Sequence, residues 1–291
     1  MFVADAGTDV PKIHSVTDDG RVINVVDDAE PSAPSYLPNG DLLFVRDVEP
    51  APRPGLPQRG AIWTMNADGS DQRQLLPVGQ AEGWTLVEQA IASPGGEWVA
   101  FSGIVDDSAN SPRIYIVRSD GSQLRQVSGL DDPGIVFDEE VAWSSDGSAL
   151  AFIRQAPRGE AYYFELWVVD VEDTVDSQLL FGTSTALTNV SWGPGERILA
   201  SEARRDGTVL VRVDPQTGEH EDVLTDAYSA AVSADGTQYS YWDLPPEGDY
   251  TPPRLITTSV AEGGETAITV DTELIPYDGL ALPPCQREGS R

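Results

Sequence analysis

Val141-Ala142-Trp143-Ser144-Ser145-Asp146-Gly147-Ser148-Ala149-Leu150-Ala151-Phe152 is the stretch that decides the fold. An apolar strand runs into a tight turn and a second apolar strand leaves it. Asp146-Gly147 supplies the positive φ angles such a hairpin requires. The same order recurs at 34–44 around Asn39-Gly40 and at 91–101 around Gly95-Gly96, and in weaker form at 190–200 and 231–241. A second hairpin alternates with the first. Ile62-Trp63-Thr64-Met65-Asn66-Ala67-Asp68-Gly69-Ser70 and Ile114-Tyr115-Ile116-Val117-Arg118-Ser119-Asp120-Gly121-Ser122 each lead into a polar-apolar return strand. Equivalents lie at 13–26, 166–180, 209–224 and 255–268.

The turn glycines Gly20, Gly69 and Gly121 are spaced by 49 and 52 residues, and Gly218 follows two such steps later. A period near 50 falls in the range of propeller blades. Six second hairpins face only five complete first hairpins, and a shared blade removes the mismatch. Phe2-Val3-Ala4 is its second strand, 13–26 its outer two, and Glu273-Leu274-Ile275-Pro276-Tyr277 its innermost. The expectation is an all-β, six-bladed β-propeller of four-stranded antiparallel blades, its ring closed by N- and C-terminal strands. Residues 1–283 form this single domain, and 284–291, with Cys285, form a flexible tail behind Pro283-Pro284.

The two patterns resemble the TolB-like propeller repeat, through Trp143-Ser144-Ser145-Asp146-Gly147 and Ala67-Asp68-Gly69-Ser70. That family includes periplasmic TolB, which docks envelope proteins, as well as propellers attached to serine peptidases and sugar-acid lyases. Neither a separate N-terminal domain like that of TolB nor a hydrolase domain is expected from these residues. The resemblance implies a fold strongly and a function weakly.

Composition narrows the function classes. The chain has 291 residues, 40% of them hydrophobic, with 18 basic residues against 48 acidic ones and a formal charge of −30. Such a field repels phosphate backbones and anionic lipid, so no nucleic-acid partner is expected, and apolar runs are too short for membrane insertion. Lys12 is the only lysine. An acidic, lysine-poor surface suits a periplasmic or extracellular setting, with the cytoplasm left open, although Met1-Phe2-Val3-Ala4-Asp5 is no export signal. One cysteine permits no disulfide framework.

Catalytic sets are sparse. Gly182-Thr183-Ser184-Thr185-Ala186 has the outline of a nucleophile elbow, but it lies between strands, and His14 and His220 belong to distant hairpins. Two histidines cannot build the histidine-rich metal centre that the lyases of the family imply. Calcium, which takes carboxylate oxygens, is the cation that Asp138, Glu139 and Glu140 would suit; no other cofactor is expected. Glu88, Gln89, Glu139, Glu140 and Asn189 fall at aligned starts of innermost strands and should line the channel mouth. Trp143 and Trp192 take the repeat's aromatic position and read as packing between blades, as do Trp63 and Trp167 in third strands.

The short turns share one face of the ring. The long connections 46–60, 103–113, 154–165, 202–207 and 243–254 share the other, where binding groups usually sit. These connections hold nine of the 18 basic residues. Arg46, Arg113, Arg154, Arg158 and Arg205 are therefore expected to form a basic rim, joined by Trp242, Asp243 and Tyr250 at the last long loop. Arginine forks match carboxylates. The favoured function is a non-catalytic binding or scaffold propeller, monomeric, docking a protein or peptide on the long-loop face. The alternative is a hydrolase or lyase acting on an acidic saccharide, with Glu139 or Glu140 as general base. A structural module of a larger assembly is the third reading.

Overall fold

The computed structural model describes residues 2–5, 12–16, 22–26, 31–47, 60–76, 84–105, 111–129, 136–159, 161–173, 177–193, 196–205, 207–225, 227–232, 238–243, 254–259, 265–269 and 275–280. All regular structure there is β. β1 (Phe2–Asp5), β2 (Lys12–Val16) and β3 (Val22–Val26) form blade 1. Blade 2 comprises β4 (Pro31–Tyr36), β5 (Leu42–Asp47), β6 (Gly60–Met65) and β7 (Arg73–Leu76). Blade 3 comprises β8 (Trp84–Ala92), β9 (Trp98–Val105), β10 (Arg113–Arg118) and β11 (Arg125–Gln126). Blade 4 holds β12 (Phe137–Trp143), β13 (Ala149–Arg158), β14 (Ala161–Asp170) and β15 (Gln178–Thr183). Blade 5 holds β16 (Leu187–Gly193), β17 (Arg197–Arg204), β18 (Gly207–Val213) and β19 (His220–Thr225). Blade 6 holds β20 (Ala227–Val232), β21 (Gln238–Asp243), β22 (Arg254–Ser259) and β23 (Glu265–Thr269). The last strand, β24 (Ile275–Leu280), returns to blade 1 and pairs antiparallel with β1.

Every sheet is four-stranded and antiparallel, a sequential meander in blades 2 to 6 and completed by β24 in blade 1. The innermost strands are neighbours: β4 lies against β8, β8 against β12, β12 against β16 and β16 against β20, while β20 and β4 each meet β24. This is a β-propeller of four-stranded blades.

Alternation along each strand explains the packing, because successive side chains leave opposite faces of a sheet. In β13, Leu150 and Phe152 point to blade 3 and join Ile114, Ile116 and Val127. Ala151 and Ile153 point to blade 5 and join Leu187, Val190 and Val209. Both faces of a blade are buried, so its middle strands read as unbroken apolar runs rather than alternating ones. Phe44, Phe101 and Phe152 hold the same place in three blades and are fully buried. Each contributes roughly 1.5–3 kcal/mol by leaving water. Trp143 is buried as well, and its indole N–H donates to Ile91 O at 3.2 Å across the blade interface.

The repeat turns carry their own hydrogen bonds. Gly147 has φ 75°, and its N–H donates to Ser144 O at 2.9 Å. Asp146 Oδ1 accepts from the Ser148 N–H, the Ser144 hydroxyl and the Ser148 hydroxyl, which together hold its carboxyl below the usual range. Asp68 and Asp120 accept from Ser70 and Ser122 in the same way and are lowered for the same reason.

Two connections expected to be irregular are strand. β13 and β14 stay paired out to Arg158↔Ala161, and β17 and β18 out to Arg204↔Gly207. Tyr162, Tyr163 and Phe164 favour strand, and Gly159, at φ 70°, permits the tight reversal. Pro157 sits beyond the start of β12, where the missing N–H breaks no described ladder. Residues 48–59, 106–110, 244–253 and the tail 284–291 lie outside the described residues.

Candidate functional site

In blade 4, as to a lesser extent in blade 5, the middle strands outrun the other two. β12 begins at Phe137 opposite Gln155, and β15 ends at Thr183 opposite Phe164. Beyond those pairs β13 and β14 continue as a two-stranded arm on the face opposite the short turns. At its end Tyr162 and Tyr163 are 48% and 37% exposed.

The two sides of this arm are chemically unlike. Toward blade 3, Arg154 lies 4.7 Å over the Trp167 ring and 5.7 Å over Phe152. Its guanidinium grips Asp138 with two bonds, Nε to Oδ1 at 2.6 Å and Nη2 to Oδ2 at 3.0 Å. Ser128 Oγ donates to the same carboxylate at 2.7 Å and accepts the Ile114 N–H, while Ser102 Oγ donates to Asp138 O at 3.0 Å. A dry ion pair thus ties blade 3 to blade 4. Farther out, Glu165 accepts from Trp167 Nε1 at 3.0 Å and from Arg158 at 2.5 Å, and Arg158 lies 5.7 Å over Tyr163.

Toward blade 5, the register puts Phe137, Glu139, Ile153, Gln155, Pro157 and Tyr162 on one side. Ile153 is packed into the core. Farther along, Phe137 meets Tyr162 edge-on at 6.4 Å and 69°. Glu139 is half-buried and has no hydrogen-bond or ion-pair partner among the described residues. Burial, with the Asp138 charge adding to it, pushes its carboxyl above the usual range.

β-bulges set these directions. The pairing of every innermost strand is irregular, between Ser32 and Ser35, Val87 and Ala90, Glu139 and Val141, Thr188 and Ser191, Tyr228 and Ala231, and in β24 opposite β1, with a second shift in β8 between Trp84 and Leu86. Glu140 and Asn189 occupy bulges with φ 53° and 56°, a region that side-chain-bearing residues rarely adopt. Bulges re-aim side chains and recur beside binding sites. Gln89 spans two blades, its Oε1 accepting the Val141 N–H at 2.8 Å.

Comparison with known proteins agrees with the architecture. The Gmad1 family, the lipoprotein LpqB β-propeller domain, matches residues 115–243. A putative TolB from Agrobacterium tumefaciens superposes with TM-score 0.64 at 17% identity, over 85% of this chain and 84% of that one. TolB from Acinetobacter baumannii gives TM-score 0.66 at 15% identity, over 93% of this chain but 63% of its own. The fold is that of the TolB-like propellers. An oligogalacturonate lyase from Vibrio parahaemolyticus shares the fold at 12% identity, with TM-score 0.52 over 92% of this chain and 85% of that one. No curated protein matches the sequence.

Against this TolB-like framework the expected site residues separate. Arg46 and Arg154 do not stand on a rim. They are 8% and 5% exposed because each follows a buried phenylalanine by two residues and folds over a tryptophan of the next strand. Arg46 lies 4.7 Å over Trp63 and donates to Gln72 Oε1 at 2.8 Å. Arg113 is half-buried and donates to Ser111 Oγ, Pro112 O and Val136 O. Arg158 is held by Glu165, and Arg205 is exposed at the β17–β18 turn. Tyr250, like the side chains of Glu88, Trp242 and Asp243, lies outside the described residues.

The structure does not gather Asp138, Glu139 and Glu140 around one point. Asp138 faces blade 3 under Arg154, Glu139 faces blade 5, and Glu140 is the bulge. Among the described residues no group of three histidine, cysteine or acidic side chains could hold a metal. The 182–186 stretch is no nucleophile elbow. Thr183 and Thr185 donate to Glu202 at 2.8 and 2.7 Å, fixing the link between blades 4 and 5. Burial pushes the Glu202 carboxyl up, but these hydroxyls and Arg204 outweigh it and hold it down.

Phe137, Tyr162 and Tyr163 were not singled out from sequence. The signal available was the run Ala161-Tyr162-Tyr163-Phe164, three aromatics in a span whose arginines, glutamates and proline suggested a loop.

Proposed function

We propose that the chain is a six-bladed, ring-closed docking propeller, non-catalytic, which holds a protein or peptide partner on the face bearing the β13–β14 arm. The observation that carries this reading is the pair of exposed tyrosines on a rigid, strand-built projection. Aromatics presented on such a scaffold lose little entropy on binding and anchor interfaces. The match to a lipoprotein propeller domain supports a setting in the cell envelope.

Capture from an envelope extract of the source organism tests the docking role. The wild type should retain a partner that the Tyr162→Ser, Tyr163→Ser double variant loses while its melting temperature is kept; equal capture would end this reading. Ring closure has its own test. Removing 272–291 takes away β24 and should lower the melting temperature sharply, whereas removing 284–291 should leave it nearly unchanged.

The carboxylate-dependent hydrolase or lyase stands as the second reading, favoured by the raised pKa of Glu139. It requires a second carboxylate beside Glu139. Asp138 faces the other way and is neutralised by Arg154.

A further inference from the structure

On the blade 3 side of the arm, the pattern of aromatic ring, carboxylate and guanidinium is complete twice over. Trp167, Asp138 and Arg154 form one set, and Tyr163, Glu165 and Arg158 the other. On the blade 5 side the first two parts recur without the third. Phe137 and Tyr162 supply rings in edge contact, and Glu139 supplies a half-buried carboxylate on the same side of the sheet. No arginine or lysine of β12, β13 or β14 points to that side. Across on blade 5, Arg204 is committed to Glu202 and Asp222.

We infer that Phe137, Tyr162 and Glu139 form a socket for a lysine or arginine side chain carried by the docked partner. This rests on the docking reading and specifies its chemistry. A ring face attracts a cation through its quadrupole, and more strongly where water is partly excluded. The carboxylate adds a full charge at the bulge-defined end of the same surface. The long-range field agrees, since a molecule of charge −30 draws in a basic segment before any contact forms. Glu139, without a partner among the described residues, then gains one on binding, as Asp138 and Glu165 have gained theirs on folding.

The test uses fluorescently labelled octalysine as the probe, titrated into the whole chain at about 0.15 M salt, where distant charges are screened. Glu139→Gln should weaken binding about tenfold, and Tyr162→Phe should keep it because the ring rather than the hydroxyl does the binding. Glu219→Gln removes one exposed charge far from the arm and should stay within about twofold of wild type. Equal losses for Glu139→Gln and Glu219→Gln would reduce the effect to net charge and overturn the socket. Millimolar choline displacing the probe would also overturn it, by assigning the surface to a small quaternary amine. If octalysine shows no dependence on Glu139 while envelope capture still depends on the two tyrosines, the socket falls and the docking reading stands. If octalysine depends on Glu139 but nothing is captured, the docking reading falls.

Discussion

The two sides of blade 4 are made from the same residue types and end in opposite states. Toward blade 3 every described carboxylate has its arginine, and every such arginine has a ring beneath it. Toward blade 5 the rings and the carboxylate have no cation among the described residues. The first side is a product of folding and holds two blades together. The second bears the same chemistry in open form, at the edge of the propeller mouth. A difference of one residue in strand register separates them, because the bulge at Glu140 decides that Asp138 turns to one side and Glu139 to the other.

The largest expected effect breaks the closed side. Arg154→Ala leaves Asp138 buried without its counter-charge and should cost about 3–5 kcal/mol, read as a fall in the denaturation midpoint. The double variant Arg154→Met, Asp138→Leu should recover a large part of that loss. Failure to recover any would mean that the arginine acts through its stacking on Trp167 and Phe152 alone.

Arg158→Ala should lower stability less, since its side chain is 58% exposed while that of Glu165 is 4% exposed. Glu165→Gln in the same background should restore the midpoint, because the stranded group is then neutral. No rescue would show that Glu165 does not need Arg158.

The smallest effect concerns the open side and has the opposite sign. The Glu139 carboxyl is raised by burial and by the charge of Asp138, so ionising it costs stability in the folded protein. Protons bind the folded state more tightly there than the unfolded one, and the associated stability is lost as pH rises through the folded value. Glu139→Gln should therefore raise the melting temperature slightly at pH 7. The gap should close near the acid end, at about pH 3, where both side chains are neutral. A lower melting temperature for the variant at pH 7 would mean that Glu139 has an internal partner, and the two sides would no longer differ.

Much of the fold is legible in the sequence because its turns are local. Asp146-Gly147, Asp68-Gly69 and Asp120-Gly121 announce hairpins through residues two or three apart, and their spacing announces the blades. The site is hidden because its contacts depend on register. Asp138 and Arg154 are 16 residues apart and meet only if β12 and β13 pair as they do. A slip of one residue would exchange the faces of Asp138 and Glu139. Charge also misled the reading of 154–165. Arg154, Arg158 and Glu165 look like loop residues until each is seen to pair across the strands. Conversely, Arg46 and Arg154 read as rim residues because arginine is usually exposed, and the tryptophan that shelters each one lies on another strand.

The measurement that bears most directly on the open side is partner capture by Tyr162→Ala compared with Tyr163→Ala, at matched melting temperatures. The tyrosines are adjacent in sequence, exposed on the same arm and directed to opposite sides. The account predicts that Tyr162→Ala abolishes capture while Tyr163→Ala, whose ring already serves Arg158, retains it. Equal capture by the two variants, or loss with Tyr163→Ala alone, would contradict it.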